Sequence, residues 1–348
     1  METNVISRLT WRWVRANSVK VDLPDLEYKN FTKFPSLPNR DDSFEREFMD
    51  MSYGLSPELL DINKSYLNWN NVIETTCNCD KGEKFEVILT EKENRINDRQ
   101  RIKVGKNSKA EFIFDYRQEG DFECFRNTLF EIIGEENSQL KLILIQRFGL
   151  GTDSFLSLVA KLHESARLEV VQVELGAKKT FTNMVANLVG KESDFSLKAV
   201  YIGDKNRQLD FSYLVNHIAE ATKSDMLVNG MLREGANKRF AGTLDFKKGS
   251  VKSVGNEEEY VTLLDDDVRN VAVPLLLSHE DDIVGNHAAS AGRVDPDILF
   301  YIMSRGFTED EAKSLIVEAS MAPTMDLIED ETLREDLKRN IHEGIVNR

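Results

Sequence analysis

Cysteine is nearly absent from this chain, which holds only Cys77, Cys79 and Cys124. So small and odd a set cannot build a disulfide framework, and a reducing compartment, the cytoplasm, is the simpler expectation. Long apolar runs are missing too. The longest, around Val271–Leu277, falls far short of the ~20 residues a membrane span needs. No apolar segment opens the sequence, which argues against a secretory leader. Arg8, Arg12 and Arg15 beside Trp11 and Trp13 suit an ordinary basic amphipathic helix better than a transit peptide, because Glu2 is present and serine is not enriched. Basic charge is in deficit: 45 Lys and Arg stand against 60 Asp and Glu, a net charge of −15 carried partly by Glu257–Glu259 and Asp265–Asp267. Such a chain repels phosphate backbones, and without a local basic patch nucleic-acid binding is not expected. The usual catalytic signatures are lacking as well. There is no P-loop, no Gly-x-Ser-x-Gly, no His-Glu-x-x-His and no dinucleotide fingerprint after a strand. Gly149 and Gly151 lack phosphate-loop spacing.

What is present divides into three kinds of pattern, within a length of 348 residues that suffices for one large domain or two to three small ones. Residues 1–70 form a loosely helical region. Ile6, Leu9 and Trp13 fall at helical spacing, Val21–Arg40 with Pro24, Pro35 and Pro38 is an extended connector, and Ser43–Met51 carries a weak helical signal.

Residues 71–290 alternate apolar and polar side chains in short runs. Examples are Phe85–Leu89, Ala110–Phe114, Leu140–Ile145, Leu168–Leu175, Phe195–Tyr201, Leu209–Leu214, Met226–Leu232 and Phe240–Phe246. Turns such as Gly203-Asp204-Lys205-Asn206 separate them. No long helical pattern intervenes, so a βαβ sheet is disfavoured and the chain is mainly β. Repetition of one strand-plus-turn unit without a strict motif favours a β-helix, with a sandwich or a barrel as alternatives.

Residues 291–348 are helical and well punctuated, and a three-helix C-terminal unit is expected. Asp295 before Pro296 is an N-cap followed by proline at the first position, and Gly306 is the stop after Arg305. Thr308 and Glu311 make a capping box for a second helix, with Ala312, Leu315, Ile316 and Ala319 as its apolar stripe and an end before Pro323. A third helix carries Leu333, Leu337, Ile341 and Ile345, with Glu335–Arg339 as an i,i+4 pair. Phe300, Tyr301, Ile302 and Met303 are expected mainly to pack the first helix onto the domain, leaving a partner surface on the other two.

The joint between the last two regions carries a resemblance. Gly285-Asn286-His287-Ala288-Ala289-Ser290-Ala291-Gly292-Arg293-Val294-Asp295, then Leu299-Phe300-Tyr301 and Ser304-Arg305-Gly306, resembles the C-terminal signature of the SufB/SufD iron–sulfur cluster assembly proteins. That signature reads roughly Cys-Ser-His-Gly-Ala-Thr-Val-Gly-x-Leu-Asp and then Phe-Tyr-Leu-x-Ser-Arg-Gly. Pro274-Leu275-Leu276-Leu277 stands at the family's proline-led strand. Asp210, His217, Ser224, Gly230 and Phe240-Ala241-Gly242-Thr243-Leu244 are similar to its Asp…His…Ser…Phe-x-Gly pattern. The likeness spans about Ile102 to Ala319, and the His-centred form with Gly-Arg-Val-Asp looks more like SufD than SufB.

The resemblance implies a right-handed parallel β-helix core with flanking N- and C-terminal α-helical regions. It also implies a non-catalytic scaffold subunit of a SufBCD-type complex for iron–sulfur cluster assembly. Such a subunit pairs with a SufB-type paralogue through the β-helix and docks the SufC-type ABC ATPase through its C-terminal helices. No cofactor is stably bound; an iron–sulfur cluster is held transiently by the complex, and a homodimer in isolation is compatible with this. The family cysteine two residues before the histidine is Gly285 here, so a cluster-facing role rests on His287, as a candidate cluster or metal ligand at the partner interface. The bland alternative is a histidine bonded to backbone at the strand-to-helix corner.

His279 with Glu280, Asp281 and Asp282 has metal-like composition but suits a solvated loop, and His217 suits a structural histidine. Cys77 and Cys79 share a strand face, yet a cluster or zinc site needs two further ligands and only Cys124 remains. Two rival functions stand beside the scaffold: a SufB-like self-pairing scaffold that binds a cluster directly, and a β-helix polysaccharide-binding or lyase protein.

Overall fold

In a computed structural model, residues 1–6, 16–24, 27–29, 31–33, 42–76 and 82–346 are described. The helix expected over residues 4–16 falls mostly on residues 7–15, and Cys77 and Cys79 on residues 77–81. Both lie outside the described residues.

The alternation of residues 71–290 resolves into a flattened parallel β-solenoid. After a short antiparallel pair, β1 (Glu2–Thr3) and β2 (Val19–Lys20), and two helices, α1 (Asp42–Phe48) and α2 (Pro57–Ser65), the chain winds between two sheets. An 8-stranded sheet stacks β4 (Glu83–Leu89), β6 (Lys109–Gln118), β8 (Gln139–Arg147), β10 (Arg167–Glu174), β12 (Asp194–Gly203), β14 (Lys223–Leu232), β16 (Ser253–Leu263) and β19 (Ile283–Arg293). A 9-stranded sheet faces it, with β3 (Trp69–Thr75), β5 (Arg95–Val104), β7 (Cys124–Gly134), β9 (Thr152–Leu162), β11 (Lys179–Leu188), β13 (Gln208–His217), β15 (Asn237–Phe246), β17 (Arg269–Ala272) and β18 (Leu275–Ser278). All pairs within these two sheets are parallel, so each strand meets its equivalents one coil before and after. That excludes the sandwich and the barrel.

A stacked corner sets the register. Asn107, Asn137, Ser165, Glu192, Ala221 and Lys252 recur every 27 to 31 residues, each in the left-handed region. Each N–H donates to a carbonyl of the next coil, as Asn137 does to Glu164 at 2.8 Å and Ala221 to Val251 at 2.8 Å. The following residues, Ser108, Ser138, Ala166, Ser193, Thr222 and Ser253, are all buried. Left-handed conformation at non-glycine residues costs about 1 kcal/mol or more per position, and the inter-coil hydrogen bond offsets it.

Both outer faces are covered. Against the 9-stranded sheet lie Leu55 and Leu59 over the ladder Phe125, Phe155 and Phe181, and Phe44 and Phe48 over Ile133, Val159 and Val185. Asn63 of α2 fixes that helix by donating to the carbonyls of Asp98 and Asn127 at 3.0 and 2.8 Å. Against the 8-stranded sheet lie α4 (Glu309–Met325) and α5 (Glu331–Val346), which follow α3 (Pro296–Met303). Leu333, Leu337, Ile341 and Ile345 are buried as their spacing predicts, together with Val317 and Met321, over Ile143, Val171, Val200 and Met231.

The punctuation signals hold. Asp295 caps α3, and the Thr308–Glu311 capping box is present in both directions. Three details differ. The buried face of α4 is Ala312, Ser314, Val317 and Met321, while Leu315 is 42% exposed, because the sheet lies to one side of the stripe read from spacing. Helix α4 continues through Pro323 to Met325; the lost N–H falls in the last turn, where buried Thr324 and Met325 hold the chain. Arg339 pairs with Asp336 at 2.9 Å and Lys338 with Glu335 at 3.2 Å, so no Glu335–Arg339 pair forms. Asp336 is drawn to this side by Arg147, which bridges it to Asp115 of the sheet at 2.5 Å each.

Close packing inside the solenoid makes some positions intolerant of a side chain. A Cβ on Gly230 would lie 1.9 Å from the ring of buried Tyr201. Gly230→Ala is therefore expected to destabilise the fold by about 3 kcal/mol or more, since overpacking displaces a ring with nowhere to go. Urea unfolding monitored by circular dichroism would measure it.

Candidate functional site

Solenoids hide the apolar face of their last coils behind a cap. At the N-terminal end the chain supplies cover of its own, with Phe31 packed against Trp69 and Asn68 bonded to the carbonyls of Lys29 and Arg95. The C-terminal end differs. Among the described residues strand β19 has one neighbour, β16, and along its other edge presents the backbone of eleven residues. From His287 to Arg293 every residue of this strand is exposed.

His287 therefore lies in mid-strand and not at a strand-to-helix corner. Its direction follows from register. Gly255, Glu257, Glu259 and Val261 of β16 point into the solenoid, and they pair with Gly285, His287, Ala289 and Ala291 of β19. The imidazole thus belongs to the inner face of an open mouth whose other inward side chains are small. Gly285 fits its neighbours: a Cβ there would come within 2.6 Å of Leu276.

Beneath the mouth sits a buried charged group drawn from the Glu257–Glu259 run. Glu257 and Glu259 are 0% and 1% exposed, and only Glu258 of the run faces outward. Glu259 forms an ion pair with fully buried Lys238 and accepts from the Tyr201 hydroxyl at 3.4 Å. Burial pulls Lys238 down and pushes Glu259 up, each toward its neutral form, against their mutual attraction. The Glu257 carboxyl lies against Gly242, and neither of its oxygens has a hydrogen-bond partner. Burial, with the neighbouring Glu259 adding to it, pushes Glu257 up to about 8, so it is largely protonated at neutral pH. The signal was available: in an alternating strand, every second residue of a Glu-Glu-Glu run points inward.

The remaining candidates are held structurally or stand apart. His217 is buried, with Nδ1 2.8 Å from Thr222 Oγ1 and Nε2 2.9 Å from Ser224 Oγ, and its ring stacks on Phe246 at 4.4 Å. Burial lowers it to about 4, so it is neutral. Asp210 accepts from Arg239 at 3.0 Å, and Arg239 also donates to the carbonyls of Ala16 and Asn4, strapping the N-terminal segment to β13 and β15. His279 lies 3.8 Å from Asp245 in an exposed loop. Cys124 is buried and its thiol is pushed up to about 11 by burial, which makes it a poor thiolate. Among the described residues, no group of three or more His, Cys, Asp or Glu is placed to hold a metal ion.

A second surface adjoins the mouth. No residue of α3 is buried, and Ile298, Phe300, Tyr301 and Met303 are exposed, Phe300 by 74%. The expectation that this helix packs onto the domain fails, because α4 and α5 already occupy the 8-stranded sheet. Phe307 and Leu315, further along the chain, are exposed as well. Among the described residues no helix is long and apolar enough to cross a membrane.

A parallel β-solenoid with helices on both faces, an open C-terminal coil centred on a histidine and an unpacked aromatic helix beside it defines a class of assembly protein. The family of the SUF system FeS cluster assembly proteins, described by its SufBD core domain, matches residues 87–320, and the chain belongs to it. A SufD, named as an iron–sulfur cluster assembly protein, from Bacillus subtilis (strain 168) is 27% identical over 212 residues, which is 61% of this chain and 48% of that relative. A SufBD family protein of Mycobacterium bovis is 24% identical over 201 residues (58% of this chain, 24% of the relative). One of Staphylococcus epidermidis is 25% identical over 193 residues (56% and 42%). The matched part spans about half or less of each of these relatives.

Proposed function

We propose that this chain is a non-catalytic, cytoplasmic scaffold subunit of a SufBCD-type complex. It pairs with a SufB-type paralogue through β19 and docks a SufC-type ABC ATPase through α3 and the start of α4. The observation that carries this reading is the uncapped terminal coil. An exposed parallel edge of eleven residues invites aggregation unless a partner covers it. The unburied aromatics of α3 support the ATPase contact, since several large apolar side chains exposed on one short helix suit an interaction surface. A nascent iron–sulfur cluster is cargo in this reading. His287 supplies one imidazole to it, and the paired subunit supplies the remaining ligands. The protonated Glu257 and the inert Cys124 thiol weigh against a cluster held by this subunit alone. The polysaccharide alternative has no support from the family match.

Co-expression with a SufB-type paralogue and a SufC-type ATPase tests the proposal. The double variant Phe300→Asp/Tyr301→Asp is expected to keep its fold, because both side chains are already exposed, and to lose ATPase capture at least tenfold. His287→Ala should keep both partners and lower the iron and sulfide retained by the complex. Capture of neither partner by the wild-type chain would refute the scaffold reading.

A further inference from the structure

Packing alone gives no reason for an acid at Glu257. Among the described residues neither oxygen of its carboxyl has a hydrogen-bond partner, although the side chain is fully buried. The other inward acids are held. Glu259 is engaged by Lys238 and Tyr201, and Asp98 by Tyr116, Thr128 and Gln100. Even Glu174 accepts from Gln172 at 2.7 Å. A buried polar group left unpaired costs free energy, and native interiors keep such groups where a site needs them.

The register shows what Glu257 faces. It lies one coil beneath His287 on the same inner face, the two being Cα partners on β16 and β19. Paired strands lie about 4.8 Å apart, so both side chains reach a common point without movement of the backbone. The residues around them are small: Gly242 across the layer, and Gly285 and Ala289 on either side of His287. No hydrogen bond fixes the carboxyl, so rotation about its own side-chain bonds brings it toward the imidazole. An imidazole nitrogen and a carboxylate oxygen, with water in the other positions, suit a single ferrous ion. A sulfide-bridged cluster asks for thiolates, and β16 and β19 contain no cysteine.

We infer that Glu257 and His287 together form a receiving site for one ferrous ion, filled before any cluster is built. The inference rests on the reading of His287 as an iron-facing ligand and adds the second ligand and the species bound. As the iron–oxygen bond forms, the carboxyl proton passes to water and the iron stays ferrous. Glu259 remains with Lys238 and takes no part.

Anaerobic titration of the whole chain with Co2+, a spectroscopic stand-in for Fe2+, tests this. The visible absorption of bound Co2+ should saturate at one ion per chain, and excess Fe2+ should compete for the site. Glu257→Gln and His287→Ala should each weaken binding at least tenfold. Glutamine fills the same space and His287 is exposed, so both variants should keep the fold, which circular dichroism checks. Imidazole proton resonances shifted by Co2+ should appear in wild type, persist in Glu257→Gln at saturating metal and be lost in His287→Ala. Wild type that binds no Co2+, or Glu257→Gln that binds it as tightly as wild type, would overturn the inference. The His287 reading is judged separately, by the iron and sulfide retained in the co-expressed complex. If His287→Ala lowers these while Glu257→Gln leaves the titration unchanged, the carboxylate falls and the imidazole stands. If His287→Ala changes neither measurement, both fall.

Discussion

Glu257→Gln is expected to flatten the pH dependence of stability and to make the protein more stable than wild type in mild alkali. The wild-type carboxyl is raised to about 8 in the folded state from an ordinary 4.5. A carboxyl raised by folding binds its proton more tightly in the native state than in the unfolded one. Its contribution is therefore most favourable below about pH 4.5 and is lost progressively as the pH rises to about 8. At ~1.4 kcal/mol per pH unit that loss amounts to roughly 5 kcal/mol in full, and to about 2–3 kcal/mol between pH 6 and 8.5. Glutamine occupies the same space beside Gly242 without the ionisation, so the variant should lack this component. Glu174, raised to about 7, and Asp210, raised to about 6, keep a shallower slope of the same sign in the variant. Urea titrations at pH 6 and 8.5 measure the difference. Parallel pH curves for variant and wild type would show that Glu257 is not the buried acid described.

Lys238→Met carries the opposite lesson. Lys238 and Glu259 are both buried at the centre of the solenoid, where Glu259 also accepts from the Tyr201 hydroxyl at 3.4 Å and has the Glu257 carboxyl as a neighbour. Removing one partner leaves an uncompensated carboxyl in an apolar layer between Phe240 and Tyr201, which costs about 3–5 kcal/mol. Replacing both, as Lys238→Met with Glu259→Leu, should recover most of that, since two apolar side chains need no partner. Thermal unfolding of the single and double variants separates the outcomes. Equal losses in both would mean that packing volume, and not the orphaned charge, sets the cost.

Much of this architecture was legible in the sequence, and the parts that were not have specific causes. The strands recognised, such as Leu140–Ile145 and Phe240–Phe246, present an apolar core with some alternation. Strand β5 was missed because Arg-Ile-Asn-Asp-Arg-Gln-Arg looks like a solvated stretch. In the solenoid Asp98, Arg99, Gln100 and Arg101 are all buried, held by partners on other coils such as Glu131 and Tyr116. Partners some 18 to 30 residues away leave no local trace. The corner ladder from Asn107 to Lys252 did leave one, a small residue after each corner every 27 to 31 residues and serine at four of the six, but the corner residues themselves vary from asparagine to alanine and lysine.

The site divides the same way. His287 and its motif were visible from the family pattern, whereas its neighbour Glu257 became visible only once the register of β16 and β19 fixed which way each residue points. Helix α3 was read correctly to its cap and wrongly in its burial, because an apolar helix without a place on the sheet has the same sequence as one that packs.

The central claim is that β19 is a pairing edge. Hydrogen exchange of the Ile283–Arg293 amides, with and without the SufB-type paralogue, tests it most directly. The account predicts that outward amides of this strand exchange rapidly in the isolated chain and slow at least tenfold in the complex. A complex that forms while exchange of these amides stays unchanged would contradict it.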